Sequence, residues 1–162
     1  MRFAAGDTDA ALDIMREAAQ WLVDAGKPMW RLEALTREKL ANPAEEFHVL
    51  YVDGESAAAM LLSFEDRFFW PEVPAGASGF VHKLSVRRKF AGQGLAQRML
   101  SHAAALCREK GVPMLRLDTD PHRPGLVALY ERCGFRRVGV VKLDLRAQCE
   151  GVIDVALYER EL

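Results

Sequence analysis

Phe80-Val81-His82-Lys83-Leu84-Ser85-Val86-Arg87-Arg88-Lys89-Phe90-Ala91-Gly92-Gln93-Gly94-Leu95-Ala96 is the stretch whose reading decides the fold. Its first half is an apolar, strand-like run through Phe80, Val81, Leu84 and Val86, followed by the cations Arg87, Arg88 and Lys89. A compact Ala91-Gly92-Gln93-Gly94-Leu95-Ala96 comes next, and from Leu95 the apolar period changes. Leu95, Met99, Ala103 and Leu106 recur at helical spacing, as do Ala96, Leu100, Ala104 and Cys107. A strand that enters a glycine turn and opens a helix leaves backbone N–H groups unpaired at the helix's positive end. That end suits a phosphate or pyrophosphate, and glycine lets the anion reach the backbone. The main chain from Gly92 to Gln97 is the candidate site for a phosphorylated cofactor.

Spacing narrows the choice. A P-loop requires Lys-Ser/Thr after its last glycine, where this chain has Leu95-Ala96. The dinucleotide fingerprint requires a third glycine, where Gln97 stands. Downstream, Leu115 to Asp120 reads as a strand and Pro124 to Phe135 as a short helix. Pro124 suits the first helical position and Gly134 the residue after the last turn. Leu126, Leu129, Tyr130 and Cys133 fall on one apolar face.

The two stretches together resemble the GNAT superfamily of N-acyltransferases, closely from about Phe80 to Val138 and by order of elements elsewhere. The glycine turn is similar to that family's acyl-CoA loop, Arg/Gln-x-x-Gly-x-Gly/Ala after a Leu-x-Val strand end. Leu84-Ser85-Val86 supplies the strand end, Gly94 and Ala96 the fixed small positions, and Ala91 replaces the leading Arg/Gln. The resemblance implies that main-chain amides across Gly92, Gln93, Gly94, Leu95, Ala96 and Gln97 wrap the pyrophosphate of acetyl-CoA. It also implies that Leu84, Ser85 and Val86 hydrogen-bond the pantetheine arm and polarise the thioester. Arg87, Arg88 and Lys89 either replace the missing charge or form a solvated face.

Leu129-Tyr130-Glu131-Arg132-Cys133-Gly134-Phe135 resembles the last helix of the same superfamily. There the tyrosine commonly protonates the departing CoA thiolate; the other reading of Tyr130 is a core aromatic. Arg123 stands seven residues before it, where many members carry an asparagine that contacts the cofactor. An arginine there pairs with a CoA phosphate or caps the turn.

A chain of 162 residues, half of them apolar, points to one domain, 1–162, with a single sizeable core. A net charge of -1 gives no general drive toward nucleic acid or an acidic membrane surface. No apolar run is long enough to span a bilayer, and the N-terminus lacks a signal pattern. Cys107, Cys133 and Cys149 are dispersed and odd in number. The expectation is a cytoplasmic protein, monomeric or homodimeric. With neither Cys-x-x-Cys nor His-x-x-x-His, no metal is expected.

The remaining elements follow from pattern. Arg2 to Ala5 reads as a strand, and Asp7 or Thr8 caps a helix carrying Leu12, Met15, Ala19 and Leu22 and ended by Gly26. A second helix runs from about Arg31 to Ala41, before Asn42-Pro43. Phe47 to Val52 and Ser56 to Phe64 form a hairpin through Asp53-Gly54. Arg136 to Leu143 and Val152 to Tyr158 give two last strands around a polar loop. The order β-α-α-β-β-β-α-β-α-β-β is an α/β arrangement, and the resemblance implies a mostly antiparallel mixed sheet flanked by helices.

Asp66-Arg67-Phe68-Phe69-Trp70-Pro71-Glu72-Val73-Pro74 precedes the cofactor strand. Its aromatics, and Trp30, line an acceptor pocket or plug the sheet end. Asp66 and Glu72 are candidates to meet an ammonium group.

An amine attacks a thioester only when deprotonated, so transfer needs a base, an oxyanion donor and an acid for the thiolate. Tyr130 is the acid candidate. His82 is the first candidate base, because an imidazole titrates in the right range and the residue lies where many family members place a glutamate. Asp118 is the second. Each also reads as structural: His82 as a core histidine, Asp118 as a loop anchor. The function expected is acetyl transfer from acetyl-CoA to a primary amine, on a small molecule, an amino acid or a protein. The alternative is an acyl-CoA-binding regulatory module without turnover.

Overall fold

The computed structural model describes residues 1–144 and 151–162; the polar loop expected before the last strand, with Cys149, lies outside them. The elements run β1 (Arg2–Ala5), α1 (Thr8–Asp24), α2 (Arg37–Leu40), β2 (Glu45–Val52), β3 (Glu55–Ser63), β4 (Gly79–Val86) and α3 (Leu95–Glu109). Then come β5 (Met114–Thr119), α4 (Pro124–Arg132), β6 (Arg136–Asp144) and β7 (Val152–Glu161). This is the expected order. The one departure is the helix expected over Arg31 to Ala41. It resolves into a 3-10 turn at Leu32–Ala34 and the single turn of α2, which Thr36 caps through the Lys39 N–H. Leu35 between them is fully buried against α1, so packing breaks a helix too short to hold itself.

The strands form one seven-stranded sheet in the order β1-β2-β3-β4-β5-β7-β6. Every pairing is antiparallel except β4 with β5. The β2–β3 hairpin turns at Asp53 and Gly54, whose φ values of 51° and 85° are the left-handed pair that matches strand twist. Strand alternation then divides the core. Ala58, Met60 and Leu62 of β3 point to one face, packed with Leu95, Met99, Leu100, Ala103 and Cys107 of α3 and with Tyr130 of α4. Ala59 and Leu61 point to the other, against Ile14, Met15 and Ala19 of α1. A strand buried on both faces explains the nearly unbroken apolar run Ala57 to Leu62.

On the α1 face, beyond α1 itself, the sheet is covered by residues 64–78. Trp70 is buried there against Phe80, Val155 and Leu157, and the Arg116 guanidinium lies 5.1 Å from its ring centroid. Arg116 is in turn paired with Glu159 at 3.2 Å. Cys107 and Cys133 are free and buried. No helix of the described residues is long and apolar enough to cross a membrane.

Candidate active site

β4 and β5 are paired only at Gly79–Leu115, Phe80–Arg116 and Val81–Leu117. Past Val81, β4 keeps its ladder with β3; past Leu117, β5 keeps its ladder with β7. The two parallel strands part, and a cleft opens between their C-terminal ends. A bulge helps it open. Between the pairs Leu61–His82 and Ala59–Ser85, β4 carries Lys83 and Leu84 where β3 has only Met60. Lys83 takes the extra place with φ 51°, which bends the strand and re-aims the side chains after it. Leu84, Ser85 and Val86 therefore follow the bulge on the β4 edge that β5 has left. Ser85 is buried, its hydroxyl donating to the Lys83 carbonyl at 3.1 Å.

His82 sits at the mouth of the split. Its pairing with Leu61 and its alternation with Val81 place it on the α1 face. Nδ1 lies 3.3 Å from Asp118 Oδ1, and Nε2 lies 3.4 Å from Asp66 Oδ2. Burial works against a charged ring here. The bond and charge of Asp118, with the charges of Asp66 and Glu45, outweigh it and raise the imidazole pKa above its ordinary 6.5. Asp66, His82 and Asp118 each offer one ligand atom within 4.8 Å of the others. Two carboxylates around one ring form a place for a cation.

Tyr130 reaches the same space from α4, on the opposite face of the sheet. Its ring packs against Tyr158 and Phe135. Burial, and then the charge of Asp118, push its phenol well above the ordinary value, although a hydrogen bond with Thr119 works the other way. The hydroxyl therefore keeps its proton across the physiological range.

The glycine turn has the geometry its residues imply. A 3-10 turn at Arg88–Phe90 leads through Gly92, at φ 78°, to Gly94, which begins α3 at φ 73°. Leu95, Ala96 and Gln97 are its first three residues, and their N–H groups have no carbonyl one turn behind within the helix. Nothing stands within 4 Å of where a Cβ on Gly94 would lie, so the space above the turn is open.

The cations before it have other partners. Arg87 binds the Ser56 carbonyl at 2.7 Å and pairs with Glu17; Arg88 stacks 4.4 Å from the Trp21 ring centroid; Lys89 pairs with Glu55. They fasten the turn to α1 and the β2–β3 hairpin. Arg123 is similarly committed. It pairs with Asp120 at 3.0 Å and donates to the Lys27 and Pro28 carbonyls, tying the start of α4 to the segment after α1. Two arginines not singled out from sequence, Arg132 and Arg160, line a cavity of about 320 Å³ with Gln97 and Ser101. Only the docking of α4 and β7 beside α3 brings them there.

A larger cavity of about 1350 Å³ opens at the split. His82, Lys83, Leu84, Asp118, Thr119 and Tyr130 line it at the split, and Trp30, Asp66, Phe68 and Phe69 line it farther out. The aromatic segment, read from sequence as pocket wall or plug, divides between the two. Phe68 and Phe69 border the cavity, while Trp70 is the buried plug and Glu72 is exposed outside the cavity wall. Asp66 separates them by capping the turn: its Oδ1 accepts from the Phe68 and Phe69 N–H groups at 3.0 and 2.9 Å. Trp70→Ala is expected to lower unfolding free energy by about 3–5 kcal/mol, as loss of a buried indole does. Denaturant titration measures this; a loss under 1 kcal/mol, roughly a surface substitution's effect, would contradict the packing role.

Residues 12–135 match the acetyltransferase (GNAT) family model. The chain belongs to the GNAT family of acetyltransferases. The uncharacterized N-acetyltransferase YesJ of Bacillus subtilis (strain 168) is 30% identical over 141 residues, spanning 82% of this chain and 78% of YesJ. A GNAT family acetyltransferase from Listeria monocytogenes 4b F2365 superposes with a TM-score of 0.73 at 22% identity, over 99% of this chain and 95% of that one. A GNAT family acetyltransferase from Elizabethkingia anophelis with acetyl-CoA bound gives 0.61 at 19% identity, over 74% and 77% of the two chains. The open mixed sheet with helices on both faces is the GNAT fold.

Proposed function

We propose that this GNAT protein transfers the acetyl group of acetyl-CoA to a primary amine by direct attack in a ternary complex. The observation that carries the reading is the convergence of His82 and Tyr130, from opposite faces of the sheet, on one cavity at the split. The acetyl-CoA bound to the Elizabethkingia relative supports the donor. In this reading the amides from Gly92 to Gln97 hold the pyrophosphate, with Arg132 and Arg160 near enough to meet phosphate charge. Leu84, Ser85 and Val86 receive the pantetheine arm along the β4 edge, in place of the strand neighbour that β5 no longer provides. Arg123, already bonded to Asp120 and two carbonyls, is left out of this set.

The protons balance as follows. The acceptor arrives as an ammonium, His82 takes one proton, and the free amine attacks the thioester carbonyl carbon. The C–N bond forms and the C–S bond breaks. Tyr130 gives its proton to the thiolate and is restored by the second proton leaving nitrogen, so amide, CoA thiol and one released proton result. Asp118 positions the ring and stabilises its charged form.

Thiol release from acetyl-CoA with a panel of primary amines tests this directly. Binding of acetyl-CoA without thiol release from any amine would favour the non-catalytic acyl-CoA-binding module. The cofactor half has its own expected result. Gly94→Val forces a branched residue into left-handed backbone and places its methyls where phosphate must approach. Calorimetry on the folded variant should show acetyl-CoA affinity reduced by about tenfold or more, the scale of a lost charge-assisted hydrogen bond. Unchanged affinity would remove the turn from the binding site.

A further inference from the structure

We infer that Arg123 is a positioning residue for the acceptor: it holds residues 27–34 in place as one wall of the large cavity and adds nothing to cofactor affinity. This rests on the acyltransferase reading and deepens it. Arg123 stands at the N-cap of α4. There a side-chain oxygen ordinarily accepts from the first free N–H groups, and the helix dipole opposes a cation. Arg123 makes no side-chain cap bond. A residue that breaks the local rule is answered elsewhere in the fold. Its Nε donates to Asp120 Oδ2 at 3.0 Å, and its Nη2 donates to the Lys27 carbonyl at 3.1 Å and the Pro28 carbonyl at 2.7 Å. The side chain is only 18% exposed. A phosphate at this guanidinium would compete with bonds already made.

The stretch that Arg123 grips has little else to fix it there. Residues 23–28, from the last turn of α1 onward, are exposed. Trp30 comes two residues after Pro28, and two residues of extended chain span about 7 Å at most. Fixing the Pro28 carbonyl therefore restricts where the indole can lie. Trp30 packs on the α1 core with Leu32 and Leu40, and the Lys83 ammonium lies 5.2 Å from its ring centroid. Lys83 is the bulge residue next to His82, so the gripped wall ends beside the candidate base.

Pro28, Met29 and Trp30 line the cavity from one segment; Asp120, Arg123 and Leu126 line it from the other. One guanidinium thus joins the start of α4 to the stretch that carries Trp30. The cofactor set proposed above, Gly92 to Gln97 with Leu84 to Val86, contains no residue of that stretch. Cutting the tie frees the wall on the acceptor's side and leaves the cofactor's contacts as they are.

Arg123→Asn cuts the tie and keeps the helix. Asparagine is among the best N-cap residues, so α4 gains the cap bond it lacks, while Asp120 still accepts from the His122 N–H at 2.9 Å. Thiol release is followed with 2-phenylethylamine, spermidine and glycinamide as probes, beside acetyl-CoA calorimetry and melting temperature. For the probe that the parent uses best, KM should rise about tenfold, the scale of one lost charge-assisted hydrogen bond, with kcat changed far less. Acetyl-CoA affinity, its salt dependence and the melting temperature should stay near the parent's. Trp30→Ala supplies the second arm. Because the tie acts through the indole, the double variant should have the KM of the worse single one.

A parental KM in folded Arg123→Asn overturns the positioning role. A loss of acetyl-CoA affinity, largest at low salt, returns Arg123 to the cofactor phosphates and overturns it as well. Additive effects of Arg123→Asn and Trp30→Ala on KM overturn the route through Trp30. Bound acetyl-CoA with no thiol release by the parent with any probe overturns the acyltransferase reading itself, and the acceptor role of Arg123 with it.

Discussion

Tyr130→Phe is expected to fold, to bind acetyl-CoA as the parent does, and to lose about 10²–10⁴-fold in kcat, the range for a positioned general acid. The substitution keeps the ring that packs against Tyr158 and Phe135 and removes only the hydroxyl. Thr119 loses a hydrogen bond, at a stability cost of about 1 kcal/mol. Burial is what raises the phenol pKa, and the same burial raises the basicity of a thiolate that forms beside it, so the proton stays in place until that thiolate appears. Donors whose thiol leaves more easily should suffer less, because they need less protonation. The measurement is single-turnover thiol release with acetyl-CoA and a thioester of a more acidic thiol. Parental turnover by the phenylalanine variant would reduce Tyr130 to a packing residue and hand the thiolate to water or another donor.

The second large effect belongs to His82. Its replacement by glutamine should lower kcat/KM by about 10²–10⁴-fold and remove the acid limb of the pH–rate profile. In the parent, the base form of the ring must be neutral, so activity rises with pH through its pKa. Because Asp118, Asp66 and Glu45 together overcome the effect of burial, that limb should lie above the ordinary histidine value. Asp118→Asn removes a bond and a charge that favour the imidazolium, so the limb should move to lower pH. An acid limb that survives in His82→Gln would assign the titration, and the base, to another group.

Much of this protein is legible one segment at a time. Asp53-Gly54 predicts its hairpin because two left-handed residues are what strand twist demands, and the pair has φ 51° and 85°. The α3 stripe from Leu95 to Cys107 predicts a helix and its buried face, and those residues are the ones that pack on the sheet. The stretch from Arg31 to Ala41 was not legible in the same way. Its helical period is real, but burial of Leu35 against α1 competes with it, and that contact spans the chain.

Side-chain partners are where sequence reading ends. Arg87 beside the glycine turn looks like phosphate-binding charge until Glu17, seventy residues earlier, takes it. Phe68, Phe69 and Trp70 are adjacent and chemically alike, yet a turn capped by Asp66 sends the first two to the cavity and the third into the core.

The sequence by itself determined most of the elements, their order and the glycine turn that opens α3, and it nominated Tyr130 as candidate acid and His82 or Asp118 as candidate base. Those are set by backbone propensity, periodicity and functional-group chemistry, which act over a few residues. Only the tertiary structure decided that His82 lies between two carboxylates, from residues 64–78 and from β5, and that Tyr130 meets it from the other face. It did so through the parting of β4 from β5 after three residue pairs. That parting depends on which strands neighbour each other and on a bulge at Lys83, and both follow from packing over the whole sheet.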